Sequence, residues 1–344
     1  MRITGMQIMN NKEILLGYGS GGKLTHELLD KIFIRYFSNP ILNKKNDSAV
    51  LNLSATNIAF TTDSYVINPI FFPGGNIGKL AVCGTVNDLA VSGASPLYIS
   101  ASFIIEEGLK FNDLEKIVKS MSDEAKRAGV LIVTGDTKVV NKGECDKLFI
   151  NTSGIGIIEK NYYIENNIKA GDKIIINGFV GDHEIAILSV RNSIELKNKI
   201  VSDCASLNQL IKKAINISNN IKFMQDITRG GLATILSEII IKNSNLGISI
   251  EEKNIPVREE VKGLCEIFGF DPLYLANEGK VLLIVDKNDA EKIIKEWRKD
   301  PLGENAVVIG EVIQEHKGNV VLQTVAGGNR IVDMLSGLQL PRIC

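Results

Sequence analysis

The last residue of the chain, Cys344, is the side chain best placed for covalent chemistry. A thiolate is a strong nucleophile, and a position at a chain end makes it accessible to a partner. Cys344 follows the sequence Pro-Arg-Ile at 341–343 and, further upstream, the glycine pair at 327–328. From Asn329 onward, an extended chain of about 16 residues at ~3.3 Å each reaches roughly 50 Å. The sequence therefore predicts a flexible tail, 327–344, whose thiol carries a substrate between a partner's active site and one on this chain.

Five aspartates form a second set of residues with chemical potential, since each stands beside glycine, serine, threonine or asparagine at the expected end of a strand or helix. They are Asp47, Asp63, Asp88, Asp136 and Asp226. A single aspartate in such a place is usually a turn former or a helix cap. Five brought together repel one another unless cations lie between them, and Mg²⁺ bridges carboxylates to phosphate oxygens. The set predicts an ATP site with more than one Mg²⁺ ion.

A glycine-rich segment, GYGSGGK at 17–23, precedes a helical pattern near the start of the chain. Its N–H groups can surround phosphate oxygens at a helix start, and the lysine adds positive charge. The segment is not a P-loop, because Leu24 replaces the Ser or Thr that binds magnesium and no βαβ unit follows. The alternative is a mobile loop before a helix. The residues predicted to contact phosphate are Gly19, Ser20, Gly21, Gly22 and Lys23.

The elements that must position these residues mix strands with helices in both halves of the chain. In the first half, strand patterns lie at 57–60, 65–67, 97–105, 130–133 and 148–158, and helical patterns at 24–33, 78–92 and 111–128. In the second half, strand patterns lie at 173–177, 281–285, 306–313 and 319–325, and helical patterns at 183–192, 203–217 and 232–241. This mixture predicts an α+β or mixed α/β fold rather than a doubly wound parallel sheet.

Length and composition limit the possible classes of protein. A chain of 344 residues suggests two domains, and the polar, turn-rich stretch 159–171 divides it into expected domains at 1–160 and 161–326, followed by the tail. A net charge near −1 gives no electrostatic basis for binding nucleic acid or an anionic membrane. The absence of a signal peptide and the five isolated cysteines predict a cytoplasmic protein with free thiols.

Taken in order, the motifs resemble the PurM-type ATP-binding superfamily. They are the glycine-rich start, NDSAV (46–50), TD (62–63), GTVNDLAVSGA (84–94), GDT (135–137) and DITRGG (226–231). With the terminal Pro-Arg-Ile-Cys, the whole chain is similar to the HypE family of hydrogenase maturation proteins. The resemblance implies a PurM-like two-domain architecture: an N-terminal sheet that joins that of a dimer mate in a barrel, and a C-terminal α/β sandwich. It also implies an ATP site near the subunit boundary.

The same resemblance implies a reaction and partners. A HypF-type carbamoyltransferase loads the terminal cysteine, ATP drives dehydration of the carbamoyl group to a thiocyanate, and a HypC–HypD complex accepts cyanide for the iron of [NiFe] hydrogenase. An amide oxygen is a poor leaving group and an amide N–H is a weak acid, so phosphorylation of the oxygen and a base at the nitrogen make this dehydration feasible.

Two further residues are predicted to act in that reaction. Lys138 would stabilise negative charge on phosphate or oxygen, and Glu278 is the candidate base, with burial raising its pKa into a useful range. Thr137 is expected to join the aspartates in binding nucleotide. The alternative interpretation is that Lys138 is an ordinary surface lysine and Glu278 an ordinary glutamate at a helix end. The three histidines, His26, His183 and His316, are expected at the surface or at helix caps, and Cys83 and Cys265 in the core.

Two other functions compete with this one. The first is another ATP-dependent enzyme of the superfamily that acts on a small molecule, such as aminoimidazole ribonucleotide synthetase or thiamine phosphate kinase. A selenophosphate synthetase is disfavoured because 10–25 contain no cysteine. The second is a non-catalytic ATP-binding scaffold for assembly factors. A small-molecule enzyme should tolerate Cys344→Ala, whereas a carrier enzyme should lose all net turnover. A scaffold should keep its function in Lys138→Ala and Glu278→Ala, whereas the dehydratase should not.

Overall fold

Two β-sheets organise the chain, one of four strands in the first half and one of seven in the second. The computed structural model describes residues 13–20, 23–44, 48–53, 57–158, 167–194, 198–334, 340 and 342–344. Helices pack on both sheets, which confirms the expected mixed α/β architecture with two domains. Among the described residues, no helix has the length and apolar character needed to cross a bilayer.

The first sheet has the strand order β1-β6-β4-β5, in which β4 and β5 are parallel and the other pairs antiparallel. Its strands are β1 (Ile58–Tyr65), β4 (Ser95–Glu106), β5 (Leu131–Val140) and β6 (Leu148–Ile157), and a hairpin of β2 (Phe71–Phe72) and β3 (Gly75–Asn76) lies apart. Before β1 come a 3-10 turn (Leu16–Gly19), α1 (Lys23–Leu28), a π-helical segment (Leu29–Ile34), α2 (Arg35–Phe37) and a second 3-10 turn (Leu42–Lys44).

Two longer helices, α3 (Ile77–Val91) and α4 (Phe111–Ala128), cover one face of this sheet, which we call the inner face. In α4 the apolar residues recur with helical spacing and are buried, as the sequence predicted. α3 is buried on nearly all sides because it lies between the sheet and the second half of the chain. Thr152 of β6 donates to Ala81 O of α3 at 3.0 Å, and Leu207 N donates to Asn87 Oδ1 at 2.7 Å. The opposite, outer face of the sheet is exposed.

The second sheet has the order β13-β12-β9-β11-β7-β10-β8. Its strands are β7 (Lys173–Ile176), β8 (Ile221–Asp226), β9 (Gly247–Glu251), β10 (Val281–Val285), β11 (Val307–Ile313), β12 (Val320–Gln323) and β13 (Asn329–Val332). Its helices are α5 (Asp182–Arg191), α6 (Asn208–Ile217), α7 (Gly231–Lys242), α8 (Glu259–Phe268) and α9 (Lys287–Trp297), with 3-10 turns at Glu252–Asn254 and Pro272–Tyr274. β10 is apolar and buried at every position, since both of its faces are covered.

The structure corrects several predicted element boundaries in the first half. Asp63 lies inside the continuous strand β1 instead of between two strands, and Asp136 lies inside β5 instead of after a strand that ends at 133, whereas Asp88 lies inside α3 as the predicted helix at 78–92 implied. Polar residues do not interrupt a strand when alternate side chains face different environments. On the inner face, Thr61 and Asp63 of β1 face a polar part of α3 instead of an apolar core, so their polarity is compatible with a regular strand. In the second half, the helix predicted from 203 begins at Asn208.

A second correction concerns the glycine pair at 327–328, predicted to be the swivel of a flexible tail. The pair forms the hairpin turn between β12 and β13, in which Thr324 N donates to Gly328 O at 2.8 Å. Gly327 has a φ of 86°, which glycine adopts without strain. Residues up to Val332 therefore belong to the second sheet.

Candidate active site

Three of the predicted aspartates lie close together where the inner face of the first sheet meets the second half of the chain. Asp63 projects from β1, Asp88 from α3, and Asp226 ends β8. The Thr61 hydroxyl donates to Asp88 Oδ2 at 2.8 Å. Burial, together with the charges of Asp88 and Asp63, raises the pKa of Asp226 to about 7. Burial also raises the pKa of Asp88, with Asp63 adding to it and Thr61 opposing it. We call the three aspartates, Asp63, Asp88 and Asp226, the acid cluster.

Glu278 stands beside this cluster on the loop that leads into β10. The loop is tied to β8, because Val281 pairs with Asp226 and Ile227 N donates to Lys280 O at 2.8 Å. Asp203 holds it from the other side. Its two carboxylate oxygens accept from Glu278 N at 3.0 Å and from Gly279 N at 3.2 Å. A Cβ on residue 279 would lie 1.9 Å from Asp203 O, so only glycine allows this approach.

Asp203 is itself buried and ionised. Burial alone would raise the pKa of this carboxyl, but Lys280, whose Nζ lies 3.0 Å away, and the two backbone donors hold it below its ordinary value. A buried ion pair with extra hydrogen bonds to the carboxylate is a rigid support. The sequence pattern did not point to Asp203, which lies in a stretch expected to be helical.

The side chain of Glu278 is 3% exposed, and its Oε1 has no hydrogen-bond partner in the part of the chain that the structure describes. Burial raises the pKa of Glu278 well above its ordinary value, and the charges of Asp226, Asp203 and Asp63 add to this. The Tyr65 hydroxyl nearby is buried and likewise makes no hydrogen bond there. Buried polar groups are normally paired, and an unpaired one costs about 1–3 kcal/mol. Two unpaired groups in one place indicate the binding site of a polar ligand.

The C-terminal residue reaches this place. Cys344 O accepts from Val66 N, one residue beyond β1, at 3.3 Å. Burial raises the pKa of the Cys344 thiol; the charges of Glu278, Asp63 and Glu184 add to it, and Arg229 opposes them. The thiol therefore lies within electrostatic range of the candidate base and of the acid cluster. Arg229 was noted in the sequence only as part of a motif, and the structure makes it the cation near the thiol.

Two predicted residues, Asp136 and Lys138, lie on the outer face instead. Lys138 Nζ is 3.4 Å from Asp136 Oδ1, and both side chains are largely exposed, at 64% and 61%. Asp136 pairs in register with Ser102, whereas Asp63 lies in the row through Thr152, whose side chain contacts α3. The side chains of the two aspartates therefore point to opposite faces. Within one copy of the chain, the structure does not bring Asp136 or Lys138 to Glu278.

A cavity of about 370 Å³ opens at the β5 edge of the first sheet, below the helical segment that starts with α1. Its lining is mainly apolar, including Phe33, Phe37 and Ile132. Its polar members are His26, Asp30, Ser48, Thr134, Asp136 and Thr137. The size and lining are typical of a small-molecule site. The glycine-rich segment lies along the same strand, since a Cβ on Gly19 would lie 2.6 Å from Val139 N.

Several predicted phosphate and metal residues cannot be placed. Gly21, Gly22 and Asp47 lie outside the described residues, as does the side chain of Lys23, whereas Ser20 is exposed and donates to Gly17 O at 2.8 Å.

No three His, Cys, Asp or Glu side chains in the described ranges are arranged to hold a metal ion by themselves. Mg²⁺ that arrives with phosphates needs only one or two carboxylates. Burial and, to a smaller extent, repulsion between the carboxylates raise the pKa values of Asp88 and Asp226, and a bound cation would favour their charged forms, so the acid cluster fits Mg²⁺ bound together with a nucleotide.

The expectation that all three histidines are surface or capping residues is wrong for His183. This side chain is completely buried, with Nδ1 2.7 Å from Ser202 Oγ and Nε2 2.9 Å from Ile343 O. Its place in the first turn of an apolar helix was the available signal. Cys83 and Cys265 are buried, as predicted.

Comparisons with known proteins give a consistent result. Residues 45–158 match the N-terminal domain of AIR synthase related proteins, and 169–323 match the C-terminal domain. The chain is 47% identical to carbamoyl dehydratase HypE of Rhodobacter capsulatus over 339 residues, which cover 98% of this chain and 99% of that protein.

Two solved structures extend this likeness. A crystal structure of hydrogenase maturation protein HypE in complex with ATP has a TM-score of 0.92 at 47% identity, covering 96% of this chain and 99% of that one. A HypE–HypF complex has a TM-score of 0.77 at 46% identity, covering 91% and 100%.

Proposed function

Because the chain belongs to the AIR synthase related proteins and, among them, to the HypE family, we propose that it is an ATP-dependent S-carbamoyl-cysteine dehydratase of hydrogenase maturation. In this reaction a carbamoyl group, carried as a thioester on Cys344, becomes a thiocyanate. The observation that carries the proposal is the position of Cys344, which is half-buried and whose thiol lies within electrostatic range of Glu278 and of Asp63 in the acid cluster. A carrier cysteine must reach the residues that transform its cargo.

The reaction balances without a further reactant. The carbamoyl oxygen attacks the γ-phosphate of ATP and releases ADP, and this converts the oxygen into a good leaving group. The nitrogen gives up its two protons as phosphate departs, and the C≡N bond forms on the sulfur-bound carbon. Glu278 is the base in this scheme, because its Oε1 has no partner among the described residues and its carboxyl lies within electrostatic range of the Cys344 thiol.

The acid cluster supplies the nucleotide end of the site. With Mg²⁺ bound, it would hold the ATP phosphates near the carbamoyl oxygen and neutralise their charge. Asp63, Asp88 and Asp226 are the described residues that fit this role, and Arg229 adds a positive charge near the thiol. We assign the cavity at the β5 edge to the nucleotide base, with Thr137 and Asp136 in its lining and Gly19 packed against Val139 of β5.

We also propose that the active form is a homodimer that buries the outer face of the first sheet. A hydrophobic row crosses this face in register, from Phe60 through Ile155 and Tyr98 to Leu131. Phe60 is 68% exposed and Leu131 42%, and such an apolar surface is typical of an interface. Asp136 and Lys138 share this face, so dimerisation would bring them to the active site of the second copy, with Lys138 stabilising charge on phosphate.

The same proposal names partners. A HypF-type carbamoyltransferase loads Cys344, as the likeness to a HypE–HypF complex suggests. A HypC–HypD complex then accepts cyanide from the thiocyanate. The reaction belongs in the cytoplasm, because the thiol must stay reduced to accept the carbamoyl group.

Mass spectrometry of the C-terminal peptide tests the proposal. After incubation with a HypF-type transferase, its substrates and ATP, we expect a carbamoyl adduct on Cys344 that then loses one water. Cys344→Ala should abolish both steps and leave ATP binding intact, whereas Cys145→Ala, which alters a partly exposed cysteine, should react like the unmodified chain.

Other outcomes would support the rival functions. An adduct that persists in ATP would contradict the dehydratase. Continued ATP turnover in Cys344→Ala with a small molecule would favour a small-molecule enzyme, and full activity of both Lys138→Ala and Glu278→Ala would favour a scaffold.

A further inference from the structure

The terminal residues are held by contacts to their backbone as well as by the partial burial of Cys344. Cys344 O and Arg342 O accept from Val66 N and Asn68 N, each at 3.3 Å, so the tail pairs with the chain that follows β1. Arg191 also donates to Arg342 O. Between these contacts, Ile343 is 4% exposed, and its carbonyl oxygen lies 2.9 Å from His183 Nε2.

The protonation of His183 follows from its other neighbour. Ser202 Oγ accepts from Cys204 N at 3.1 Å and lies 2.7 Å from His183 Nδ1. A carbonyl oxygen only accepts, so Nε2 must carry the proton that bonds Ile343 O. Nδ1 of the neutral ring is then an acceptor, and the Ser202 hydroxyl donates to it. Burial lowers the pKa of His183, which favours this neutral ring.

The imidazole is also fixed in orientation. The Phe72 ring meets it edge to face, with centroids 5.5 Å apart and an angle of 87°. Ser202 is anchored in turn, since its N donates to Pro73 O at 2.8 Å. The donor at Nε2 is therefore aimed at the place of Ile343 O before the tail arrives.

From these contacts we propose that His183, oriented by Ser202, is a positioning residue that holds the C-terminal tail in its inward position. The inference rests on the proposed function, since it concerns how long the loaded thiol stays at the acid cluster. When the tail leaves, the buried Nε2–H loses its acceptor, which disfavours departure. The contact of Arg342 with Asp146 is different. Both side chains are about one-third exposed, so water can replace their bond when the tail moves.

The experiment uses the full chain with three substitutions. His183→Leu removes the donor but keeps the apolar volume, His183→Gln keeps an N–H donor, and Ser202→Ala frees the orientation of the ring. For each we would measure alkylation of Cys344 by iodoacetamide and single-turnover dehydration of the carbamoylated thiol with ATP.

We expect His183→Leu to speed alkylation and slow dehydration by about tenfold each, the effect of one buried hydrogen bond. His183→Gln should recover most of both rates, Ser202→Ala should fall between, and loading by the transferase should not slow in any of them. A role in folding alone would lower thermal stability without a shift from slow to fast alkylation.

If His183→Leu folds and shows the same rates of alkylation and dehydration as the unmodified chain, the proposal is overturned. If His183→Leu does not fold, an unchanged alkylation rate in Ser202→Ala overturns it. Failure of the dehydratase proposal is distinct. It would show as an unmodified chain that forms no thiocyanate, while the alkylation comparison would still report on the position of the tail.

Discussion

The two faces of the first sheet carry similar residues in different surroundings. Asp63 on the inner face and Asp136 on the outer face both lie in strand segments that contain threonine, TTDS at 61–64 and TGDT at 134–137. Asp63 lies among buried carboxylates and raises the pKa of Asp88 and Asp226. Asp136 lies in water beside Lys138. The comparison shows that a motif specifies the kind of side chain, while the alternation of the strand decides its environment.

This difference has an energetic meaning. On the inner face, carboxylates interact strongly because little water screens them, so the face is poised for a cation or a polar ligand. On the outer face, an exposed ion pair such as Lys138–Asp136 contributes about 0–1 kcal/mol. The outer residues therefore gain chemical importance only when a second copy covers them.

The largest effect should come from the inner face. Glu278→Gln keeps the size of the side chain but removes the base, and we expect dehydration to slow by roughly 10²–10⁴-fold with loading of Cys344 unchanged. The measurement is the decay of the carbamoyl adduct on the C-terminal peptide. Glu291→Gln, at an exposed position of α9, is the matched control. A loss of less than threefold would remove Glu278 from the reaction.

A mixed dimer would sharpen the comparison between the faces. Lys138→Met and Glu278→Gln should each be inactive as homodimers. If Lys138 serves the site of the second copy, a dimer with one subunit of each kind regains one complete site, and adduct decay reappears on the subunit that retains Glu278. If both residues serve the same subunit, mixing restores nothing. The two subunits carry different affinity tags, so that the mixed dimer can be purified and adduct decay measured on each subunit.

The smallest effect concerns stability and its dependence on pH. Glu184 is 3% exposed, and burial raises its pKa to about 7 from an ordinary value of 4.5, although Ala276 N donates to it at 2.6 Å. A carboxyl whose pKa is higher in the folded state than in the unfolded state loses stabilising free energy as the pH rises from the lower value through the higher one.

Glu184→Gln should therefore raise the free energy of unfolding at pH 8 by at most about 3 kcal/mol relative to the unmodified chain, and by little at pH 4. Urea titrations at several pH values measure this difference. Asp136→Asn, on the exposed outer face, should show no comparable trend, and an equal trend in both variants would contradict the contrast between buried and exposed carboxyls.

Much of the fold could be predicted from the sequence, because periodicity reports local environment. The helix at 111–128 has an apolar stripe, and it packs on the sheet as that stripe requires. The mixed α/β class followed from the order of elements. By contrast, the opposition of Asp63 and Asp136 depends on strand register, and no single segment contains that information.

The supports of the site were harder still to predict. Asp203 acts on a loop 75 residues away, and His183 contacts a carbonyl 160 residues away. No sequence pattern identifies Asp203 or His183 as part of the site, because their partners are backbone atoms whose location depends on the whole fold. Glu278 was predicted from its flanking glycine and strand, but its unpaired Oε1 and its burial are visible only in three dimensions.

The hairpin at the glycine pair limits how a loading enzyme can approach. β13 is the edge strand of the second sheet and ends at Val332, so a tail that carries the thiol to a partner, as proposed, would extend from Val332 instead of from residue 327. Fully extended, its roughly 12 residues span about 40 Å. A transferase that modifies the terminal sulfur must therefore bring its catalytic centre within this radius of the sheet edge, which confines its footprint to one side of the molecule. A more distant approach would require the edge strand to peel away from β12.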